Sequence, residues 1–439
     1  MIFRLIMIVC LLSGFESSFS QNIVLEFPVE LNKKESGLYE QSIDISDYSF
    51  RDFIAVSLKL NGKGLDTGKI IIYLSSHDSI YQLSRFQEEL ISDLYISQLV
   101  YLDIKEAGLL KLRYIIPEAV NIKSVKGIIR VFSPGGDKIE KSKTKKKTGV
   151  RDYSDCNCPK PEFIVRSSWG SSFGLNENIF KPPASYTDVS HLIIHHSAGT
   201  NTSSNWPGVV ASIFDFHVNT NGWQDIGYNW LIDPNGIIYE GRGGGDNVRG
   251  AHMCGYNNNT MGVCILGTYT SIYPSSQSIA ALKSLLAWKS CLEKIDPAGI
   301  GPITSYPGIM KHISGHKDGC SPNYTECPGN ALYSLLDSLR NSIKYMTEIV
   351  CPASSSVQEK SDLVEVFPNP SYDKITFEIM TNDKPVIIKI YDLAGNTLRV
   401  INCINDKRMI SDIGNFSNGA YIVKMIFRDS IVIKKLIKI

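Results

Sequence analysis

The sequence predicts three folded regions: a β-sandwich-like region, a central α/β region with a mixed sheet flanked by helices, and a C-terminal β-sandwich. The chain has 439 residues, which is too long for one core of ordinary size. Short runs rich in branched and aromatic residues fill both ends of the chain. In the middle, runs of strand length alternate with helical periodicity instead, which favours a sheet covered by helices.

The composition favours a folded chain without a nucleic-acid partner. Hydrophobic residues make up 43% and charged residues 20%, which argues against a disordered or fibrous protein. Lys and Arg total 45 against 44 for Asp and Glu, so the formal net charge is +1. Nucleic-acid binders usually carry a strongly basic domain or stripe, and this balance gives no support for one.

Residues 1–20 have the pattern of an export signal. Arg4 supplies the positive charge, residues 5–15 are apolar, and Ser18 and Ser20 are small residues placed for cleavage before Gln21. The alternative is an uncleaved membrane anchor, but the apolar run is much shorter than the roughly 20 residues that span a bilayer. We therefore expect export and no stable membrane span.

Residues 21–134 are predicted to form a β-rich accessory domain. Strand-length runs bounded by turn residues occur at 70–74, 110–115 and 127–132, and one helical stretch is expected near 83–90. No catalytic motif is present here, so we interpret this part as an accessory or binding module.

Two linkers divide the chain. Residues 135–155 hold a Gly pair followed by six lysines, which is typical of a solvated basic tether. The alternative is loose attraction to an anionic polymer. Residues 351–362 form a Ser-rich linker.

Residues 156–350 show the alternation of strands and helices. Pro207 is suited to the first turn of a helix, and apolar residues follow it at helical spacing. An Asp-Pro-Asn-Gly turn at 233–236 predicts a hairpin. The predicted strands are 191–196, 228–232, 237–240, 261–266 and 313–316, and the predicted helices follow Pro207, cover 277–293 and lie around 332–343.

Residues 363–439 return to an all-β pattern. The strand-length runs are 364–367, 387–391, 420–427 and 431–439. Their spacing predicts a small β domain.

Three residues of the central region have the chemistry of a metal site. His195 and His316 each end a predicted strand, and Cys327 follows in a short loop. Two imidazoles and one thiolate with an open fourth position form a catalytic zinc site rather than a closed structural one. Taken singly, each residue has an alternative, because a strand histidine is often structural and an exported cysteine is often in a disulfide.

Six motifs around these residues occur in a fixed order. They are HHSAG at 195–199, DIGYNW at 225–230, YEGRG at 239–243, GAH at 250–252, GHKD at 315–318 and TECPG at 325–329. Over about residues 158–345 the chain resembles the peptidoglycan recognition protein and type 2 amidase family, whose catalytic members are zinc N-acetylmuramoyl-L-alanine amidases. These enzymes hydrolyse the amide between N-acetylmuramic acid and the L-alanine of the stem peptide.

The resemblance implies roles for individual residues. His195, His316 and Cys327 would bind one Zn²⁺, whereas His196 would point to the other side of the strand. Tyr228 and Thr325 would donate hydrogen bonds to the developing oxyanion. Non-catalytic relatives usually lack the cysteine, so its presence favours an enzyme.

The resemblance also implies a substrate groove. His217, Arg249, His252 and Asn257 would lie along the peptide and muramyl groove and bind peptidoglycan or a muropeptide. Glu326 is not an obvious general base, because a neighbour of a ligand on an extended segment should point away. The alternative function is a non-catalytic peptidoglycan-binding module at the cell surface, and a weaker one is an amidase for another acylated substrate.

The cysteines predict disulfides but leave their connectivity open. The chain has ten, and without Cys10 of the export signal nine remain. Cys254 could bridge Cys264, and Cys156 or Cys158 could bridge Cys351. The segment from His316 to Cys327 is longer than is usual in the family, and its Cys320 could pair with Cys291 or compete as a metal ligand.

The C-terminal region has a resemblance of its own. Its motifs are VFPNP at 366–370, IYDLAG at 390–395 and GAYIVK at 419–424. These resemble the type-A sorting domain of bacterial type IX secretion. The resemblance implies the type IX machinery as a partner and export through the periplasm to a secreted or cell-surface location.

Overall fold

A computed structural model gives the fold of three regions. We refer to residues 22–135 as the N-terminal region, 156–351 as the central region and 364–439 as the C-terminal region. In the part of the chain described, no helix is both long and apolar enough to cross a membrane. The described residues are 22–50, 52–65, 70–86, 93–103, 108–135, 156, 158–175, 184–320, 325–351, 364–380, 387–393, 397–402, 407–427 and 431–439. The predicted signal at 1–20 and nearly all of both linkers lie outside them.

The N-terminal region consists of two antiparallel sheets around one apolar core. The first has the order β1-β10-β4-β7, with β8 also paired to β4, and the second has the order β2-β3-β9-β5-β6. Alternating side chains of both sheets meet in the core. The strands are β1 (Ile23–Pro28), β2 (Asn32–Glu35), β3 (Leu38–Asp44), β4 (Phe53–Asn61), β5 (Ile71–Ser76), β6 (Ser79–Gln82), β7 (Leu94–Ile96), β8 (Val100–Asp103), β9 (Leu109–Ile115) and β10 (Lys126–Ser133).

The helix expected near residues 83–90 is wrong over its described part. Leu83 to Phe86 continue as extended chain after β6, and Arg85 forms a bridge with Ser97. The backbone N–H of Phe86 donates to the carbonyl of Ile96 at 2.7 Å. Pairing with the neighbouring segment therefore overrides the helical pattern of the sequence.

The central region contains a mixed five-stranded sheet with the order β13-β12-β14-β11-β17. Strand β11 runs parallel to β14 and β17, whereas β12 and β13 form an antiparallel hairpin. Strand β12 is also parallel to β14, so the carboxyl ends of four parallel strands meet at one edge. In chain order the elements are α1 (Arg166–Trp169), β11 (His191–His196), α2 (Trp206–Asp215), β12 (Trp230–Ile232), β13 (Ile238–Glu240), β14 (Thr260–Ile265), α3 (Ser276–Leu292), β15 (Ile300–Pro302), β16 (Ile309–Lys311), β17 (Ile313–Gly315), α4 (Asn330–Tyr333) and α5 (Leu336–Tyr345).

Helices cover both faces of this sheet. Leu285 of α3 and Leu339 of α5 pack with Ile194 and Val263 on one face. Helix α2 packs on the other face, where a second apolar cluster begins. The Asn205 side chain caps α2 by accepting from the N–H of Gly208 at 2.8 Å.

Three disulfides join distant parts of the central region: Cys156–Cys291, Cys158–Cys351 and Cys254–Cys320. The prediction that Cys156 or Cys158 pairs with Cys351 is confirmed. The predicted Cys254–Cys264 and Cys320–Cys291 pairs are wrong, and Cys264 and Cys327 are buried and belong to no disulfide. Cys403 lies outside the described residues.

The N-terminal and central regions share a buried interface. Phe53 of β4 and Phe132 of β10 pack in one apolar cluster with Trp169 and Phe214 of the central region. The Arg130 guanidinium donates to both carboxylate oxygens of Asp215, at 2.7 and 2.8 Å. Tyr101 and Ser212 are joined by their hydroxyls at 3.0 Å. These contacts fix the accessory region against helix α2.

We expect Arg130→Ala to lower the free energy of unfolding by about 3 kcal/mol, because it leaves the Asp215 carboxylate buried without its cationic partner. The Asp215 side chain is only 3% exposed. Denaturant unfolding followed by circular dichroism measures the change. Arg113→Ala is the control, since Arg113 pairs with Glu40 at the surface, and an equal loss in both variants would contradict a structural role for the interface pair.

The C-terminal region contains two further antiparallel sheets around one core that includes Phe377, Ile390 and Val423. Their orders are β18-β19-β22 and β21-β20-β23-β24. The four predicted strand segments are present, and three strands are additional. The strands are β18 (Val364–Phe367), β19 (Lys374–Ile379), β20 (Ile387–Tyr391), β21 (Thr397–Asn402), β22 (Arg408–Asp412), β23 (Gly419–Ile426) and β24 (Ile431–Lys438).

Candidate metal centre and cleft

His195, His316 and Cys327 come together at the carboxyl edge of the central sheet. One ligand atom from each residue lies within 4.8 Å of the others, and all three residues are buried. The Sγ of Cys327 is 3.7 Å from Nδ1 of His195. The proximity that the motifs imply is thus present in the fold.

The local backbone explains why these residues meet. His195 is the fifth residue of β11, and His316 directly follows β17, which is parallel to β11. The N–H of Lys317 donates to the carbonyl of Cys327 at 2.9 Å, which ties the cysteine segment to the end of β17. The hydroxyl oxygen of Thr325 accepts from the N–H of Cys327 at 3.2 Å. Regular secondary structure therefore places two candidate ligands, and a hydrogen-bonded loop places the third.

Burial keeps both imidazoles neutral. It lowers the pKa of His316 to about 3, and the neighbouring His196 acts in the same direction. Burial also holds the pKa of His195 well below its usual value, with further contributions from His316 and His252. A neutral imidazole offers a lone pair, so both rings are in the form that binds a metal near neutral pH.

His252 lies behind His195. Its Nδ1 is 3.1 Å from Nε2 of His195, and its Nε2 is 3.2 Å from the hydroxyl of Thr260. A Cβ on Gly262 would lie 2.5 Å from the His252 ring, so the strand needs glycine there. His252 is 1% exposed and does not line the cleft. This location favours support of His195 over the substrate contact predicted from sequence.

We expect His252→Ala to weaken zinc affinity by about 10- to 100-fold, the usual cost of removing a partner that orients a ligand. Competition with a chromophoric chelator measures this affinity. His77→Ala is the control, because His77 is exposed in the N-terminal region. Zinc affinity unchanged in a folded His252→Ala protein would contradict this role.

His196 is not part of the group of three candidate ligands, and it has its own hydrogen-bond partner. Its Nδ1 accepts from the N–H of Tyr269 at 3.1 Å. Its backbone N–H lies 3.3 Å from the Sγ of Cys327 and donates to that sulfur. His196 thus holds the segment at Tyr269 through its ring and contacts the sulfur of Cys327 through its backbone.

A cavity of about 440 Å³ opens beside the ligand cluster. Tyr228, Thr325, His316 and Cys327 line it, and the Tyr228 ring is 5.1 Å from the His195 ring. Glu326 is exposed and also lines the cavity, although the sequence interpretation turned it away. The candidate donors therefore face the same space as two of the candidate ligands.

His217 is the groove candidate that lines this cavity. Its Nδ1 accepts from the N–H of Gly227 at 3.1 Å, and its ring lies 4.6 Å from that of Trp223. Arg249 is exposed and donates to Asn258, and Asn257 accepts from two backbone N–H groups of the His252 turn. Neither Arg249 nor Asn257 lines the cavity.

The Cys254–Cys320 disulfide lies next to His316. The Sγ of Cys254 is 3.6 Å from Nε2 of His316. Both sulfurs are in the covalent bridge, so the idea that Cys320 competes as a metal ligand is wrong. Sequence reasoning missed this neighbour and the part that the N-terminal region plays in the cavity, because neither has a local sequence signal.

Comparison with known proteins identifies the central region. The sequence profile described as N-acetylmuramoyl-L-alanine amidase matches residues 185–330. Peptidoglycan-recognition protein SC2 of Drosophila simulans is 33% identical over 180 residues, covering 40% of this chain and 86% of the relative. This chain belongs to the peptidoglycan recognition protein and type 2 amidase family. Peptidoglycan-recognition protein LB of Drosophila melanogaster, another member, is 34% identical over 178 residues, covering 40% of this chain and 67% of the relative.

Solved structures of the family include Drosophila PGRP-LB, which is 30% identical with a TM-score of 0.32 and matches 40% of this chain and 93% of that one. The endolysin N-acetylmuramoyl-L-alanine amidase LysCS from Clostridium intestinale is 23% identical with a TM-score of 0.31. The match covers 41% of this chain and 96% of that one.

The C-terminal region belongs to a second family. The profile described as a secretion system C-terminal sorting domain matches residues 365–439. This match confirms the sorting domain predicted from the sequence. It indicates export and a secreted or cell-surface location.

Proposed function

We propose that the protein is an exported zinc-dependent N-acetylmuramoyl-L-alanine amidase, which hydrolyses the amide between N-acetylmuramic acid and the L-alanine of peptidoglycan stem peptides. The observation that carries this proposal is the convergence of His195, His316 and Cys327 beside an open cavity. An export signal at 1–20 and passage through the periplasm are part of the same proposal.

The donor set fits zinc better than the other common divalent ions. Zinc accepts two nitrogen ligands and one sulfur ligand, whereas magnesium and calcium prefer oxygen. The two rings are neutral, and the thiol is free of any disulfide. When bound, zinc would activate a water molecule and polarise the carbonyl of the scissile amide.

The chain supplies the remaining electrostatic stabilisation. Attack on the amide carbonyl moves negative charge onto its oxygen, which needs hydrogen-bond donors. In this proposal the hydroxyls of Tyr228 and Thr325 donate to that oxygen. Thr325 already accepts from the N–H of Cys327, so its own proton is available for donation.

His252 acts as a positioning residue in this proposal. Its contact with Nε2 of His195 orients the ring, so that Nδ1 faces Cys327. His217, with the pKa lowered to about 3 by burial and Arg242, stays neutral and contributes a polar edge to the groove.

The second candidate function is recognition of peptidoglycan without hydrolysis. The similarity to recognition proteins supports it, and a substrate groove would serve either function. The thiol of Cys327 belongs to no disulfide and lies beside both histidines, which favours hydrolysis, because binding alone needs no ligand set with an open position.

Mass spectrometry of the products of purified peptidoglycan distinguishes the two functions. An amidase is expected to release stem peptides that begin with a free L-alanine amine, and to leave glycan strands with free lactyl carboxylates. Binding of fragments without any released peptide would overturn the proposal in favour of recognition, and peptides still attached to sugars would indicate a glycosidase.

A further inference from the structure

We propose that the N-terminal region forms a wall of the substrate cleft, and that Arg85 in this wall binds a carboxylate of the stem peptide. The inference rests on the proposed function, because it names a further specificity residue for that site. It assigns the otherwise unexplained N-terminal region a role in substrate selection.

The cavity beside the metal ligands is lined from two regions of the chain. The central region contributes Tyr228, His316 and Cys327 among others. The N-terminal region contributes Ser84, Arg85, Phe86, Gln98, Leu99 and Tyr101. A substrate whose amide lies at the ligand cluster therefore meets side chains of the N-terminal region within the same 440 Å³ space.

The wall is held rigidly by backbone hydrogen bonds. The N–H of Phe86 donates to the Ile96 carbonyl, and the N–H of Gln98 donates to the Ser84 carbonyl, both at 2.7 Å. The Arg85 Nη2 donates to the carbonyl of Leu94 at 2.6 Å. A fixed backbone of this kind can present a side chain to a ligand at little entropic cost.

The wall is also continuous with the groove of the central region. The Phe86 ring lies 5.3 Å from that of Phe216 and 6.0 Å from that of Trp223. It lies 6.4 Å from the ring of His217, which lines the same cavity. Together with the Arg130–Asp215 pair, these ring contacts join the two regions into one surface.

The charged side chains that line the cavity indicate which part of the substrate Arg85 would bind. Among the described residues that line it, Arg85 is the one permanent cation, and Glu326 is the one carboxylate. A peptidoglycan stem peptide carries acidic residues, and a guanidinium binds carboxylates through paired hydrogen bonds. Arg85 thus provides complementary charge for the peptide side of the substrate.

Steady-state kinetics with two soluble substrates tests the inference. The substrates are N-acetylmuramoyl-L-alanyl-D-glutamate and its diamide, which lacks the peptide carboxylates. For Arg85→Ala we expect KM to rise about 10- to 100-fold for the acid and less than about 2-fold for the diamide, with kcat unchanged. Arg113→Ala, at a surface pair with Glu40, should change neither value.

A second variant keeps the inference testable if Arg85→Ala does not fold. Gln98→Glu places a negative charge on the same wall and should raise KM for the acid but not for the diamide. An unchanged KM for the acid in both folded variants would overturn the inference while leaving the amidase proposal intact.

The same comparison works if the wild-type chain cleaves neither substrate. The amidase proposal is then decided on whole peptidoglycan, and calorimetric Kd values for the two compounds replace KM. Weaker binding of the acid alone by both variants supports the wall, and unchanged Kd values overturn it.

Discussion

Cys327→Ala is expected to reduce the release of stem peptides from peptidoglycan by more than about 100-fold. Loss of a residue that only orients a metal ligand typically costs about 10- to 100-fold, and Cys327 is proposed as a direct ligand. Among the described residues, Cys327 is the one cysteine grouped with both His195 and His316, and the substitution removes its sulfur. Zinc bound per chain should fall in the same variant. Peptide release measured by chromatography and metal content measured by mass spectrometry check both outcomes.

Cys264→Ala is the matched control. Among the described cysteines, Cys264 is the other buried one that belongs to no disulfide, and it lies on β14 beside His195 but outside the ligand cluster. The same atoms are removed in both variants, so the difference in peptide release and zinc content between them isolates the role of Cys327 as a candidate ligand. Near-wild-type release by a folded Cys327→Ala protein would show that hydrolysis does not need this site.

Tyr228→Phe is expected to lower kcat by about 100- to 1,000-fold, which is the typical effect of losing one oxyanion donor. The ring still packs 5.1 Å from that of His195, so zinc content and fold should be unchanged. In the proposed mechanism the hydroxyl acts only in the transition state, so KM should change little. Single-turnover kinetics with a soluble muramyl peptide measures the chemical step directly.

Tyr239→Phe is the control for this prediction. Its buried hydroxyl donates to Asp233 at 2.9 Å, away from the cavity. We expect this variant to lose stability but to retain kcat. A kcat for Tyr228→Phe within about 2-fold of wild type would remove Tyr228 from the oxyanion site.

The sequence places two of the candidate ligands near strand ends, and the family motifs single them out. His195 is the penultimate residue of β11 and His316 directly follows β17, and these strands are parallel neighbours. Cys327 required the family motifs, since its loop has no periodicity. The structure adds the hydrogen bond from Lys317 that places this loop.

The neighbours of the ligands could not be predicted in the same way. The His252 contact with His195 crosses from a turn to a strand 57 residues earlier in the chain. The Cys254–Cys320 bridge likewise depends on how two loops meet, and the sequence left the connectivity open, with Cys264 as one possible partner of Cys254. Both arise from tertiary packing, which local patterns do not encode.

The N-terminal region shows the same limit on a larger scale. Its strands at 71–76 and 109–115 follow from alternating apolar residues. The extended chain at Leu83 to Phe86 does not, because pairing with residues 96–98 decides its conformation. That segment lines the cavity, so the sequence alone does not predict a role for the N-terminal region in the site.

Zinc titration of chelator-stripped protein tests the central claim most directly. Peptide release should be absent without metal, rise in proportion to added zinc, and level off at one zinc per chain. Release that persists after complete removal of metal, or a fully zinc-loaded protein that releases no peptide, would contradict a zinc amidase built on His195, His316 and Cys327.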